Sequence, residues 1–231
     1  MPLTDMEWVA IALSLRVAAL AVACSLPLGI AVAWLLARRD FFGKSLFSAV
    51  ITLPLILPPV VTGYLLLLAF GRRGPLGIVL ESVFGFSFSF RWTGAALAAA
   101  VMGFPLLVQA IRISMEAIDR RLEDAAATLG ASPLWVFLTV TLPLSLPGIV
   151  AGGVLAFARS LGEFGATITF VSAIPGETQT LASAISAALQ DPDGEPEAWR
   201  LTLLSIAISF AAIFLSGLVS RFVARRVGGQ S

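Results

Sequence analysis

The sequence predicts an all-α integral membrane protein with about five transmembrane helices and a long cytoplasmic loop between spans three and four. Three observations lead there. Of 231 residues, 58% are hydrophobic and 13% charged, against about 25% charged in an ordinary soluble domain. Four runs, 17–36, 45–70, 92–111 and 201–220, contain no Asp, Glu, Lys or Arg, and each reaches the roughly 20 residues that a helix needs to cross a bilayer core about 30 Å thick. Most of the basic residues follow the first, third and last of these runs, as cytoplasmic flanks do.

The composition also excludes chemistry. With 15 Lys+Arg against 14 Asp+Glu the net charge is +1, which gives no electrostatic footprint for nucleic acid. The absence of His removes a Ser/His triad, imidazole acid–base catalysis and a His-Glu-x-x-His zinc site. A single cysteine, Cys24, permits neither an internal disulfide nor a cysteine metal cluster. No catalytic residue, metal or cofactor is expected on this chain, and no nucleic acid among its partners.

Residues 1–231 are read as one transmembrane domain. Its first span, about 9–37, follows Asp5 and Glu7 with no basic leader, and its apolar stretch exceeds the roughly 7–15 residues of a signal-peptide core. It is expected to be retained, with Cys24 a small packing residue. Before the second span, Gly43-Lys44-Ser45 imitates the tail of a phosphate-binding loop, but Arg38 occupies the place of its leading glycine. That span, 45–70, carries Pro54, Pro58 and Pro59 and then Thr62 and Gly63, so its middle is expected to kink or unwind. Such a break borders a transport pathway or simply accommodates packing. The third span covers about 92–112.

The fourth span is less regular. Uncharged sequence runs over 125–158, but Gly130, Ser132-Pro133, Pro143 and Pro147 punctuate it. Because prolines end helices, the crossing is expected at about 146–171 and the preceding 119–143 becomes a structured loop. Gly148 and Gly152 offer a small-residue face for packing within one subunit or for dimerisation. Four acids and two prolines over 191–197 read as a solvated turn, and the fifth span follows at 201–221.

Orientation comes from the basic residues. Arg38, Arg39, Lys44, Arg112, Arg120, Arg121, Arg221, Arg225 and Arg226 share one side, against Arg72, Arg73, Arg91 and Arg200 on the other. The larger group marks the cytoplasm, which puts the N-terminus outside and the C-terminus inside. Arg16 and Arg159 fall within or beside spans one and four.

Within the loop, Leu122, Ala125, Ala126 and Leu129 stand at i, i+3, i+4 and i+7, one apolar helix face with Arg120, Arg121, Glu123 and Asp124 around it. Gly130 suits the helix end, and Ser132 and Pro133 suit the N-cap and first residue of a second helix. On these residues alone the helix lies passively on lipid or docks on a partner.

A family resemblance enters here. Asp124-Ala125-Ala126, then Gly130, Val140 and Leu142-Pro143 resemble the Glu-Ala-Ala loop of ATP-binding-cassette importer permeases, with Asp124 in place of the usual Glu and Val140 in place of Ile. The stretch 157–167, Phe-Ala-Arg-Ser-Leu-Gly-Glu-Phe-Gly-Ala-Thr, and 174–180, Ile-Pro-Gly-Glu-Thr-Gln-Thr, are similar to membrane subunits of molybdate importers. Some relatives carry an additional N-terminal span, which is not expected here. The resemblance implies a homodimeric inner-membrane permease that moves an oxyanion, most readily molybdate, by alternating access. It also implies an extracytoplasmic oxyanion-binding protein and two cytoplasmic ATPase subunits that bind ATP and Mg, with Glu123, Asp124, Ala125, Ala126, Gly130, Val140, Leu142 and Pro143 forming the coupling-helix loop. Membrane lipid completes the list of partners.

An oxyanion leaving water needs donors and a polar lining to replace its hydration. Arg159 and Glu163 are four apart on one helix face; with Ser160 and Thr167 in the same segment and Thr62 in span two, they are the candidate pathway or gate residues. The other reading of Arg159 and Glu163 is a structural ion pair. Sulfate and tungstate are alternative substrates, since their permeases share parts of the pattern. An ion-coupled secondary transporter with Glu163 as proton carrier predicts inverted repeats, which five unequal spans do not display. An intramembrane enzyme lacks its His, its in-span Asp and its metal ligands.

Overall fold

A computed structural model describes the backbone of residues 4–228 and the side chains of residues 4–212 and 214. In chain order the helices are α1 (Asp5–Arg38), α2 (Lys44–Ile56), α3 (Pro59–Phe70), α4 (Pro75–Phe84), α5 (Trp92–Glu116), α6 (Arg120–Thr128), α7 (Pro133–Val136), a π-helical turn (Phe137–Thr141), α8 (Leu142–Leu161), α9 (Gly165–Val171), α10 (Leu181–Ala188) and α11 (Glu195–Gly228).

Helix α5 is the centre of the bundle. Its face of Gly94, Ala95, Ala98, Ala99, Leu107 and Ile111 is buried, and α1, α8 and α9 pack around it. Lipid tails are as apolar as leucine, so close backbone approach rather than hydrophobic burial holds such helices together. Gly148 and Gly152 use the same device: a Cβ at Gly148 would collide with the Ser114 Cβ, and one at Gly152 would lie 2.9 Å from the Leu107 carbonyl oxygen. Both glycines therefore serve packing of α8 on α5 within this chain.

Helix α1 starts with a capping box in which Glu7 N–H donates to Thr4 Oγ1 at 3.3 Å and Thr4 N–H donates to Glu7 Oε2 at 2.6 Å. Its remaining oxygen, Glu7 Oε1, accepts from Arg200 Nη2 at 3.0 Å, which ties α1 to α11. Ser14 Oγ accepts the Leu181 N–H at 2.7 Å and holds α10 on α1. Arg16, placed by the sequence in the apolar span, stacks its guanidinium 3.9 Å from the ring centre of Trp92, the first residue of α5. It thus sits level with the end of a neighbouring span, where a snorkelling arginine meets water. Cys24 is exposed on α1 rather than packed inside the chain.

Among the described residues, three helical runs, α1, α5 and Pro133–Leu161, are long and apolar enough to cross a membrane, and the bent pair α2–α3 counts as a fourth. The expected fifth span, 201–221, falls on α11; the side chains of Arg221, Arg225 and Arg226 lie outside the described residues. Two short helices, α4 and α10, are absent from the sequence reading. Pro75 at the first position of α4 and Thr180 at the N-cap of α10 are the local signals for them.

The prolines behave differently from expectation. Across 57–58 the axes of α2 and α3 turn by 113°, a full break with Pro59 beginning the new helix. Pro143 and Pro147, by contrast, do not end a helix: the second helix expected from Pro133 runs on through Pro143 into α8, where the sequence reading put the end of the loop. At Pro143 the π turn supplies the reason. Its wider backbone circuit, seen where Leu142 N–H donates to the Phe137 carbonyl, makes room for the proline ring that follows and needs no N–H from it. Nor is the expected crossing at 146–171 one helix, because α8 stops at Leu161 and α9 restarts at Gly165.

Candidate functional site: a docking loop and two broken helices

The loop after α5 is built from local signals. Asp119 caps α6 by accepting the Arg121 N–H on its Oδ1 at 2.9 Å. Gly130 ends it with φ +87°, a conformation that glycine adopts without cost, and the Ala131 N–H returns to the Ala126 carbonyl at 3.2 Å. Ser132 Oγ accepts the Trp135 N–H at 3.4 Å and Pro133 opens α7. The helix, turn and second helix therefore stand where the sequence puts them.

Packing then sorts the faces of α6. Leu122, Ala125 and Leu129 of the stripe point away from the bundle, with Leu122 51% and Leu129 90% exposed, while Ala126 at its edge is half-buried. An amphipathic helix that buried its apolar face in its own chain would do the reverse. Of the two acids, Asp124 is exposed and Glu123 turns inward. Glu123 Oε2 lies 3.0 Å from Arg38 Nε at the end of α1, and Glu123 Oε1 accepts the Thr141 hydroxyl at 2.5 Å in the π turn. Thr141 is 1% exposed and the Arg38 side chain 9%, so the charge-assisted bonds are screened little by solvent. One carboxylate fastens α6 to α1 and to the root of α8. Val140, Leu142 and Pro143 belong to that root and are partly buried. Nearby, the Lys44 ammonium donates to Asp40 at 2.8 Å and holds its carboxyl below the usual carboxylate range.

The second candidate region is where the two broken spans meet. Helix α9 packs on α3; a Cβ at Gly63 would come within 2.5 Å of the Ala166 carbonyl oxygen, and one at Gly165 within 2.7 Å of the Pro59 Cβ. Glu163 sits in the gap between α8 and α9. Its Oε1 accepts the Ala166 N–H at 2.8 Å, which satisfies one of the free donors at the start of α9. Its Oε2 lies 2.5 Å from Arg159 Nη1 on the last turn of α8. The Glu163 side chain is 1% exposed and that of Arg159 25%.

Among the other expected pathway residues, Thr167 and Thr62 are buried on the packed segments, and the Thr62 hydroxyl has no hydrogen-bond partner among the described residues. Ser160 differs: its hydroxyl donates to the Ala156 carbonyl at 2.8 Å and approaches the Ala99 carbonyl of α5 at 3.4 Å, so it faces the centre of the bundle. After α9, the Thr178 hydroxyl folds 172–180 by accepting the Ile174 N–H at 2.9 Å and donating to the Ser172 carbonyl at 3.1 Å. The Gly63 contact makes a testable claim. Gly63→Leu is expected to separate α3 from α9 and cost about 1–3 kcal/mol by overpacking, read as a lowered melting temperature of the detergent-solubilised protein. An unchanged melting temperature would refute the backbone contact.

The family described as binding-protein-dependent transport system inner membrane component matches residues 25–228. The chain belongs to that family. It is 58% identical over 228 residues to the molybdenum transport system permease protein ModB of Escherichia coli K12, across 99% of this chain and 100% of that protein. The ModB protein of Haemophilus influenzae is 57% identical, across 96% and 97%. A sulfate transport system permease, CysW of Synechococcus elongatus, is 36% identical, across 96% of this chain and 76% of its own length. Among solved structures, a bacterial ABC transporter for alginate matches with TM-score 0.74 at 15% identity, over 95% of this chain and 80% of the other. The MetNI methionine ABC transporter matches at 0.66 and 15%, over 94% of each. At such identities the structures establish the fold alone, that of an ABC-importer permease.

Proposed function

We propose that this chain is the permease subunit of an ATP-driven, binding-protein-dependent importer that carries molybdate across the inner membrane by alternating access. Two copies pair, two cytoplasmic ATPase subunits bind ATP and Mg, and an extracytoplasmic binding protein delivers the oxyanion. The N-terminus is outside and the C-terminus in the cytoplasm, which makes five crossings with α11 the last. Resemblance over the full length to proteins named for molybdenum transport carries the substrate; the sulfate relative is more distant.

In this reading α6 is the coupling helix. Its stripe of Leu122, Ala125 and Leu129, with the half-buried Ala126 at its edge, enters a groove of the ATPase, small alanines allow close approach, and Glu123 passes the motion to α1 and α8. The broken pair α3 and α9 borders the pathway, with Thr62, Arg159, Glu163 and Thr167 on the segments that move and Ser160 anchoring the neighbouring turn. Broken helices do this work in other transporters because their free backbone groups face a polar cavity instead of lipid.

The test of the class is recovery of the tagged protein from its native membrane in mild detergent, followed by mass measurement of the complex. Two permeases with two ATPases are expected, with ATP turnover stimulated by molybdate-loaded binding protein; repeated recovery of a folded permease without ATPase would overturn the docking reading. The substrate is tested by ATP-driven uptake of labelled molybdate against competing sulfate or tungstate. For the docking surface, Gly130→Ala and Gly130→Trp are compared. Nothing lies within 4 Å of a Cβ at Gly130, and both variants meet the same left-handed strain of about 1–2 kcal/mol. Only the tryptophan adds bulk outside the bundle, so it alone is expected to lose ATPase binding while inserting normally.

A further inference from the structure

Two pockets at the basic end of the bundle share a wall. One, about 340 Å³, is lined by Arg38, Arg39 and Arg120 with Glu123 and Asp124. The other, about 560 Å³, is an apolar groove between α1 and the α7–π segment, reaching from Leu35 and Leu134 to Ile30 and Pro27. Trp34, Pro133 and Phe137 line both, so the basic mouth and the apolar groove adjoin along these three side chains. We propose that the two adjoining pockets together form a cleft that binds one anionic phospholipid, its phosphodiester headgroup at Arg39 and Arg120 and an acyl chain along the groove toward Pro27.

Length, charge and direction fit this ligand. Pro27 stands about 16 Å along the helix from Arg38, close to the roughly 15 Å of one leaflet's hydrocarbon. The charged mouth lies at the end of the span and the apolar groove runs inward from it, the order in which a lipid presents headgroup and tail. In the mouth, Arg38 is engaged by Glu123, whereas Arg39 and Arg120 have no carboxylate at ion-pair distance among the described residues. Arg39 instead lies 5.5 Å from the ring centre of Trp34, which holds its guanidinium over the groove entrance. Asp124 offsets one of the two positive charges; Asp40, which also feels Arg120, is matched by Lys44, and one excess charge remains for an anion. Basic pockets between transmembrane helices at the cytoplasmic side are suited to such headgroups.

The cleft and the docking stripe do not compete. Arg120, Glu123, Asp124 and Ala127 follow i, i+3, i+4 and i+7 on α6 and face the mouth, while Leu122, Ala125, Ala126 and Leu129 lie on the opposite side of the helix. A lipid can therefore wedge between α6 and the membrane while the other face is covered by protein. This inference needs the bundle to lie in a membrane and is independent of the substrate.

Trp34 is the reporter. In the full-length chain, Trp8, Trp92, Trp135 and Trp199 are replaced by Phe, and the protein is placed in mixed phosphatidylcholine–phosphatidylglycerol nanodiscs with bromine on the acyl chains of one lipid species at a time. Brominated phosphatidylglycerol is expected to quench Trp34 roughly fivefold more strongly, per lipid, than brominated phosphatidylcholine. Arg39→Gln and Arg120→Gln should each remove most of that preference, whereas Arg112→Gln, a basic residue of the same end outside the cleft, should not. Equal quenching by both lipids, an equal loss in Arg112→Gln, or no quenching by either because protein closes the groove would each overturn the proposal. Should the four-fold replacement fail to fold, native mass spectrometry of the unmodified chain after delipidation supplies the readout. Retention of phosphatidylglycerol over phosphatidylcholine, reduced by Arg39→Gln, is then the expected result, and equal retention the contrary one.

Discussion

Replacing Glu123 by alanine is expected to uncouple ATP hydrolysis from transport. The substitution removes the carboxylate that joins α6 to Arg38 and to the Thr141 hydroxyl, two bonds to a charged group worth about 1.5–3 kcal/mol each. What remains on α6 is its outward stripe, which Glu123 does not touch, so the ATPase should still bind. Molybdate uptake in reconstituted vesicles is expected to fall at least about tenfold, since about 1.4 kcal/mol is a factor of ten, while ATP turnover stays within about twofold of wild type. Glu123→Gln keeps an acceptor for Thr141 but not the charge facing Arg38, and should lie between. A parallel loss of ATPase activity and uptake would place Glu123 in the docking surface instead and remove its coupling role.

The second large effect concerns the break between α8 and α9. Arg159→Met leaves the Glu163 carboxylate, 1% exposed, without its counter-charge. Removing one partner of a buried ion pair costs about 3–5 kcal/mol, and the low end applies because Arg159 keeps some contact with solvent. The single variant is expected to yield little intact complex by size-exclusion chromatography. Arg159→Met combined with Glu163→Gln removes the stranded charge, keeps an acceptor for the Ala166 N–H, and should recover the complex. In that recovered double variant uptake is expected to stay below about a tenth of wild type, as a tenfold effect needs only about 1.4 kcal/mol in the transition state and α9 is no longer held by the pair. Uptake near the wild-type level would confine Arg159 and Glu163 to folding.

How much of this was legible in the sequence depends on the distance over which each feature is decided. The α6 helix, its end at Gly130 and the restart at Ser132-Pro133 follow from residues within a few positions of one another, and capping and backbone preference act over that range. The break in span two was legible as prolines, but its 113° angle was not. At Pro143 the local rule gave the wrong boundary, because a π turn absorbs the ring, and that turn forms where Thr141 is held by Glu123 from another helix. The Leu122–Leu129 periodicity was visible, but periodicity reports only that a helix has two faces.

By itself, then, the sequence determined the membrane class, the helical loop and the residues that carry the family likeness, because composition, periodicity and capping are local and survive without neighbours. Tertiary structure decided which acid of the Glu123-Asp124 pair turns inward, that the apolar stripe of α6 looks outward, that Ser160 faces α5, and that span four ends at Leu161. The partners concerned lie far apart in the chain: Arg38 and Glu123 are 85 positions apart and Glu7 and Arg200 193. Charges so separated are brought together only when the helices between them have packed, and no pattern within either segment encodes the meeting.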